Sequence, residues 1–193
     1  DRVTDKDHIK VPGLWAEALY DISAPAGAAF FEQTRRENMP GTQSIVITNG
    51  QHCSFSRPRT QIGMRTLGNA TFDFESMAFD WIERWMKSDQ GAPTARLPVR
   101  AYLAGADRWA DFNTVPTASA ADGRTFYLSS AGSANTAAGD GALVATAPAK
   151  AGFDAFTYDP ANPVISHGGQ ISGVGSDQKD GAFDQRDIEA RKD

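Results

Sequence analysis

Asp21 and His52 are the two residues of this chain whose types and placement fit catalysis. Each follows an apolar run. Asp21 comes just after IKVPGLWAEALY, and His52 lies four residues beyond QSIVIT, in the stretch NGQHCSF. A carboxylate beside an imidazole fixes the ring's tautomer and stabilises the imidazolium that forms when the ring takes a proton. The pair would therefore make a general base with its orienting acid. Plainer roles compete for both residues. An Asp just before a helix commonly caps it, and a lone His after a strand is commonly a polar loop residue. Asp21 fits capping and catalysis equally well.

The surrounding elements decide whether the two residues meet. Residues 9–19 read as a buried strand, although Pro12 and Gly13 interrupt its start. Ser23 as N-cap and Pro25 in the first turn open a helix through AGAAFFEQTRREN, which stops before Pro40-Gly41. QSIVIT is a short second strand. Strand, helix and strand with short connections are the pattern of a parallel α/β sheet. In such a sheet the carboxyl ends of the strands share one edge, where ligands bind. That topology brings Asp21 and His52 together, and acid before base is the tail of the Ser…Asp…His order of α/β-hydrolases. No G-x-S-x-G elbow occurs in the 193 residues, and in that order it would lie upstream of Asp21. Either the triad reading fails or the nucleophile belongs to polypeptide outside this sequence.

Composition narrows the alternatives. With 40% hydrophobic and 22% charged residues the chain is globular. A net charge of −5 argues against a nucleic-acid or anionic-membrane surface. No apolar run approaches the roughly 20 residues that span a bilayer. The opening DRVTDKDHIK lacks the apolar stretch of a secretory signal. The single cysteine, Cys53, rules out an internal disulfide and a cysteine metal cluster; it reads as a small buried residue pointing away from its neighbour His52. His8 and His167 read as solvent-facing. Glu17, Asp73, Asp80 and Asp159 have no spacing that suggests a calcium loop or a glycosidase pair. With no P-loop, G-x-G-x-x-G or H-E-x-x-H, the sequence calls for no cofactor.

DFESMAFDWIERWMKSD repeats its apolar residues at helical spacing, which predicts a helix burying Phe74, Met77, Trp81 and Trp85 against the sheet. QGAPTARLP then reads as a linker. Beyond it VRAYLAG, RTFYLSS, GALVATA and FDAFTYD are short strand candidates between turn residues, which suggests a β-sandwich. The expected division is an α/β part at residues 1–94 and an all-β part at 95–193.

Several segments together resemble one family, the cocaine-esterase and X-Pro dipeptidyl-peptidase-like hydrolases of the CocE/NonD type. IKVPGLWAEALYDIS resembles their I-x-V-P-x-L-x-x-x-G-W-Y-D-x-x segment, and IVITNGQHCSF their L-V-I-G-P-x-x-H-C segment. FDFESMAFDWIERWMKSD resembles the helix with R-W-F-D-x-W-L-K-G, and LPVRAYLAGADRW the P-V-R-x-Y-V-M-G-x-x-x-W opening of a C-terminal β-domain. FTYDPANPV and DGAFDQRDIEARKD resemble the Y-D-P-x-x-P-V and D-Q-R-x-x-E-x-R-x-D signatures. These likenesses follow the family's order along nearly the whole chain. In one departure, the family's Gly-Trp before Tyr-Asp is Ala18-Leu19 here.

The resemblance implies that the chain is a C-terminal fragment: the last part of an α/β-hydrolase domain followed by the first part of a jelly roll. It places the triad acid at Asp21 and the base at His52, with the serine in an N-terminal hydrolase segment not contained here. The implied substrate is a small ester, an amide or a short X-Pro peptide, cleaved through an acyl-enzyme. Open strand edges also leave room for a homo-oligomer. A non-catalytic module is the alternative, its β-domain binding carbohydrate or a partner chain.

Overall fold

The computed structural model describes residues 4, 6–52, 60–87, 97–116, 123–150, 152–170 and 179–191. The chain divides into two units, residues 1–116 with 168–183 and residues 117–167 with 184–193.

The first unit is built on the expected strand, helix and strand. β1 (Gly13–Ala18) leads into α1 (Ala24–Arg36), which returns the chain to β2 (Gln43–Thr48). β1 and β2 pair in parallel from Gly13↔Gln43 to Ala18↔Thr48, so both strands end level. Two short strands, β3 (Gln61–Ile62) and β4 (Arg65–Thr66), form a ladder of their own before α2 (Phe74–Met86). β5 (Val99–Leu103) then joins the main sheet parallel to β2, and β6 (Arg108–Phe112) turns back antiparallel on β5. The order is β1-β2-β5-β6. VRAYL, expected to open a separate β-domain, is thus part of the α/β sheet, and the first unit runs on to residue 116.

Strand alternation sorts the side chains into two clusters. Phe31 of α1, Ile45 and Val99 are fully buried, with Trp15, Ile47, Phe112 and Val115 packed around them. Trp15 meets Phe30 and Phe31 edge-on, with ring centroids 5.4 and 6.2 Å apart. Ile62, Leu67, Ala70 and Tyr102 form the second cluster with Tyr20, Ala104 and Trp109. Its anchor is Asp107 in the β5–β6 turn, whose carboxylate accepts from the Tyr102 hydroxyl and, at 2.7 Å, from the Gly68 N–H. Gly63 is a glycine by necessity: its φ is 59°, and a Cβ there would run into the backbone of Ala182, which it bridges.

α2 forms where the periodicity puts it, with Asp73 as N-cap accepting from the Ser76 N–H at 3.0 Å. Its expected burial does not occur. No residue of α2 is buried; Phe74, Met77, Trp81 and Trp85 are half-exposed, and the two tryptophans pack on each other at 5.9 Å. The physical reason is a second apolar stripe, Phe79, Ile82 and Met86, which is exposed outright. A helix that is apolar on two sides does not reveal from its own period which side is covered. Neither α2 nor any other helix among the described residues is long and apolar enough to cross a membrane.

The second unit pairs β7 (Tyr127–Ser129) with β8 (Ala142–Val144) antiparallel and carries a one-turn helix, α3 (Arg186–Glu189). FDAFTYD forms no strand. The two terminal motifs meet here. Arg191 donates to the Asn162 carbonyl at 2.7 Å and to its side-chain oxygen at 3.2 Å, which ties DQRDIEARKD to the turn in YDPANPV. None of this unit's described residues is buried, and Leu128, Leu143 and Phe153 are all largely exposed.

Candidate active site

Past the ends of β1 and β2 the two strands stay connected. The Leu19 N–H donates to the Thr48 carbonyl at 2.8 Å, and the Tyr20 N–H donates to the Gly50 carbonyl at 3.1 Å. These bonds extend the parallel ladder into the loops that carry Asp21 and His52. A turn closed by Asp21 N–H to Ala18 O at 2.8 Å then places the Asp21 side chain inward, where it is buried. On the other loop, the Gly50 N–H donates to Thr48 Oγ1 at 3.2 Å, and Asn49 Nδ2 donates to the Tyr102 carbonyl on β5 at 3.3 Å. Gln170, from the segment that returns to this unit, donates to the Leu19 carbonyl at 2.6 Å.

The result is the juxtaposition that strand order alone predicts. His52 Nδ1 lies 2.7 Å from Asp21 Oδ2. An ionised carboxylate only accepts, so Nδ1 carries a proton, and in the neutral ring the lone pair sits on Nε2. Nε2 has no hydrogen-bond partner among the described residues. Asp21 Oδ1 accepts both the N–H and the hydroxyl of Ser23, each at 2.9 Å. The two sequence-level roles of Asp21 are therefore divided between its oxygens: Oδ1 closes the turn before α1, and Oδ2 holds the imidazole.

Burial alone pushes the Asp21 carboxyl up, but the Ser23 N–H, the His52 ring and the Ser23 hydroxyl together hold it below its ordinary value of 3.8. The consequence for stability has a definite sign. In acid the unfolded chain binds the Asp21 proton before the folded chain does, so stability rises with pH through that window. The contribution is complete above that ordinary value and is lost as pH falls through the lower folded value. Urea midpoints measured from neutral pH into acid should fall less steeply for Asp21→Asn than for the wild type. Parallel slopes would remove the argument. Glu17, half-buried on the α1 face of β1, is displaced the other way: burial and then the nearby Asp21 raise its carboxyl.

A histidine–carboxylate pair is not diagnostic by itself, because all three histidines make one. His8 Nδ1 meets Glu37 and His167 Nε2 meets Asp187, each at 2.7 Å. His167 is less open to solvent than its sequence context suggests. What sets His52 apart is its acid: the Asp21 side chain is 10% exposed, against 26% for Glu37 and 61% for Asp187. Only this pair lies at the carboxyl edge of the parallel sheet. Of the remaining carboxylates, Asp73 caps α2 and Asp159 closes a turn with the Ala161 N–H at 2.9 Å. Cys53 and Ser54 lie outside the described residues. The sequence reading missed two contributors to the loops, Asn49 and the Ser23 hydroxyl. Both are short polar residues at element ends, indistinguishable in sequence from ordinary caps and turns.

The cocaine esterase of Rhodococcus sp. (strain MB1 Bresler) is 34% identical to this chain over 113 residues. The match takes in 58% of the chain and 19% of that protein's length. No family model matches the chain. The likeness supports a relationship to a cocaine-esterase-like hydrolase over part of the sequence.

Proposed function

We propose that residues 1–193 supply the acid and base of a Ser-His-Asp triad in a serine hydrolase that cleaves ester, amide or X-Pro peptide bonds through an acyl-enzyme. Its nucleophile comes from polypeptide outside this sequence. The observation that carries the reading is the Asp21–His52 pair at the sheet's carboxyl edge, with Nε2 left unengaged among the described residues. His52 Nε2 takes the proton of the serine hydroxyl as the hydroxyl attacks the substrate carbonyl. The ionised Asp21 stabilises the resulting imidazolium, which then protonates the leaving group. Water reverses the same relay to release the acyl group.

In this proposal the first unit is the C-terminal part of an α/β-hydrolase domain, and the second belongs to the first part of a jelly roll. β1 has a sheet partner on one side alone among the described residues, so its outer edge offers N–H and C=O groups to a further strand. That edge is where the serine-bearing segment joins. The uncovered apolar residues of the second unit fit a β-domain completed by further chain.

An acyl-transfer site needs nucleophile, base, orienting acid and oxyanion donors in mutual register, and this chain has an assigned acid and base. The chain alone is expected to resist labelling by a fluorophosphonate serine probe and to show no His52-dependent turnover of a nitrophenyl ester. The same assays on a polypeptide extended upstream through its serine should both turn positive. Robust His52-dependent turnover by residues 1–193 alone would place the nucleophile inside them, and Ser54 would be the first residue to test.

A further inference from the structure

We infer that Ser23 is a positioning residue: its hydroxyl and N–H together fix the Asp21 carboxylate so that Oδ2 is presented to His52, an inference that rests on the hydrolase reading. The argument starts from what Ser23 does not do. Serine at an N-cap ordinarily takes an extended backbone conformation, and its oxygen accepts an N–H from the second or third helical residue. Ser23 sits at the N-cap of α1 but has φ −81° and ψ −18°, a helical conformation, and its side chain makes no capping bond. The hydroxyl turns back instead and donates to Asp21 Oδ1 at 2.9 Å. α1 starts without it. Pro25 has no N–H to satisfy, the Gly27 N–H reaches the Ser23 carbonyl at 2.9 Å, and the Ala24 N–H reaches the Asp21 carbonyl at 3.2 Å. The favoured capping side chain is present but is spent on the residue two positions upstream. Such a breach of a local rule marks a functional constraint.

The chemical need is specific. A carboxylate rotates about its Cβ–Cγ bond, and a buried one must have its oxygens satisfied. Two donors on Oδ1 oppose that rotation and leave Oδ2 aimed at Nδ1, 2.7 Å away. Ser23→Ala keeps the backbone N–H and removes one of the two restraints. Ser23→Thr keeps a hydroxyl.

The test is a carboxyl-carbon NMR titration of Asp21 in the 193-residue chain, run on the wild type, Ser23→Ala and Ser23→Thr, with a thermal melt of each. The expected result is that Ser23→Ala moves the Asp21 midpoint upward and lowers the melting temperature at neutral pH by no more than that shift accounts for, and that Ser23→Thr restores both. A Ser23→Ala variant that melts early while its Asp21 midpoint is unmoved identifies an ordinary cap and overturns the inference. In the polypeptide extended through its serine, Ser23→Ala should lower kcat roughly tenfold, the worth of one hydrogen bond to a charged group, with KM unchanged and Ser23→Thr active. A loss confined to KM makes Ser23 a substrate contact and also overturns it. Absence of any His52-dependent activity sinks the hydrolase reading and the catalytic half of the inference with it; the orienting of Asp21 is then decided by the titration.

Discussion

On the proposed hydrolase reading, Asp21→Asn is expected to lower kcat about 10⁴-fold, with KM little changed, in the polypeptide that would join this chain to a serine. The size of the effect follows from hydrogen-bond polarity. The Asp21 carboxylate accepts the Nδ1 proton of His52 across 2.7 Å, which leaves the Nε2 lone pair of the neutral ring free to take a proton. An asparagine amide can place its NH₂ group there instead. Nδ1 then accepts, the proton moves to Nε2, and the ring faces the serine as a donor. The imidazolium formed during the reaction also loses the negative charge beside it. His52→Ala removes the base itself and should cost about 10⁶-fold, close to the whole triad's contribution, because the members of such a unit are not additive. Pre-steady-state and steady-state hydrolysis of a nitrophenyl ester would measure both. An Asp21→Asn variant within tenfold of wild type would mean that His52 is oriented by another group and that Asp21 serves the turn alone.

How far this site could be read from sequence depends on which physical signals are local. The meeting of Asp21 with His52 was legible because the parallel pairing of β1 with β2 follows from an apolar strand, one helix and a second apolar strand. That topology leaves one edge for both residues. The Ser23 hydroxyl was not, since the same Ser-x-Pro start serves a helix whose serine caps it and one whose serine turns away. β5 escaped for a different reason. VRAYL follows a turn-rich linker and is as short as a sandwich strand, and nothing in five residues states that the partner is β2, more than fifty positions earlier. FDAFTYD is a short aromatic-rich run between turn residues, as a strand can be, yet Phe153, Phe156 and Tyr158 are all exposed and unpaired in any ladder among the described residues. Strand propensity is a disposition toward a half-buried surface. It becomes a strand when a neighbouring strand is present to pair with it.

The same distinction decides where the chain is most sensitive to truncation. Phe31 and Trp81 are both aromatic residues on the apolar faces of thirteen-residue helices, and sequence pattern gives no reason to rank Phe31 above the larger Trp81. The structure reverses that order. Phe31 is 0% exposed, fixed between Ile45 and Val99 with the Trp15 ring edge-on against it. Its removal leaves a cavity that the sheet beneath cannot collapse to fill, at an expected cost of about 3–5 kcal/mol. That is a large share of the roughly 5–15 kcal/mol that holds a domain folded. Trp81 is half-exposed and its ring packs on that of Trp85, so Trp81→Ala should cost less than about 2 kcal/mol. Phe31 also lies two turns along α1 from the Asp21–Ser23 corner, on the helix face that presses the sheet. Its loss should therefore lower the denaturation midpoint steeply while the molecules that remain folded keep their Asp21–His52 bond. Urea unfolding of the two alanine variants, with the Asp21 carboxyl resonance followed in each, reads both consequences. Equal midpoint shifts for Phe31→Ala and Trp81→Ala would show that α2 is as well covered as α1, and that the core does not lie where these residues place it.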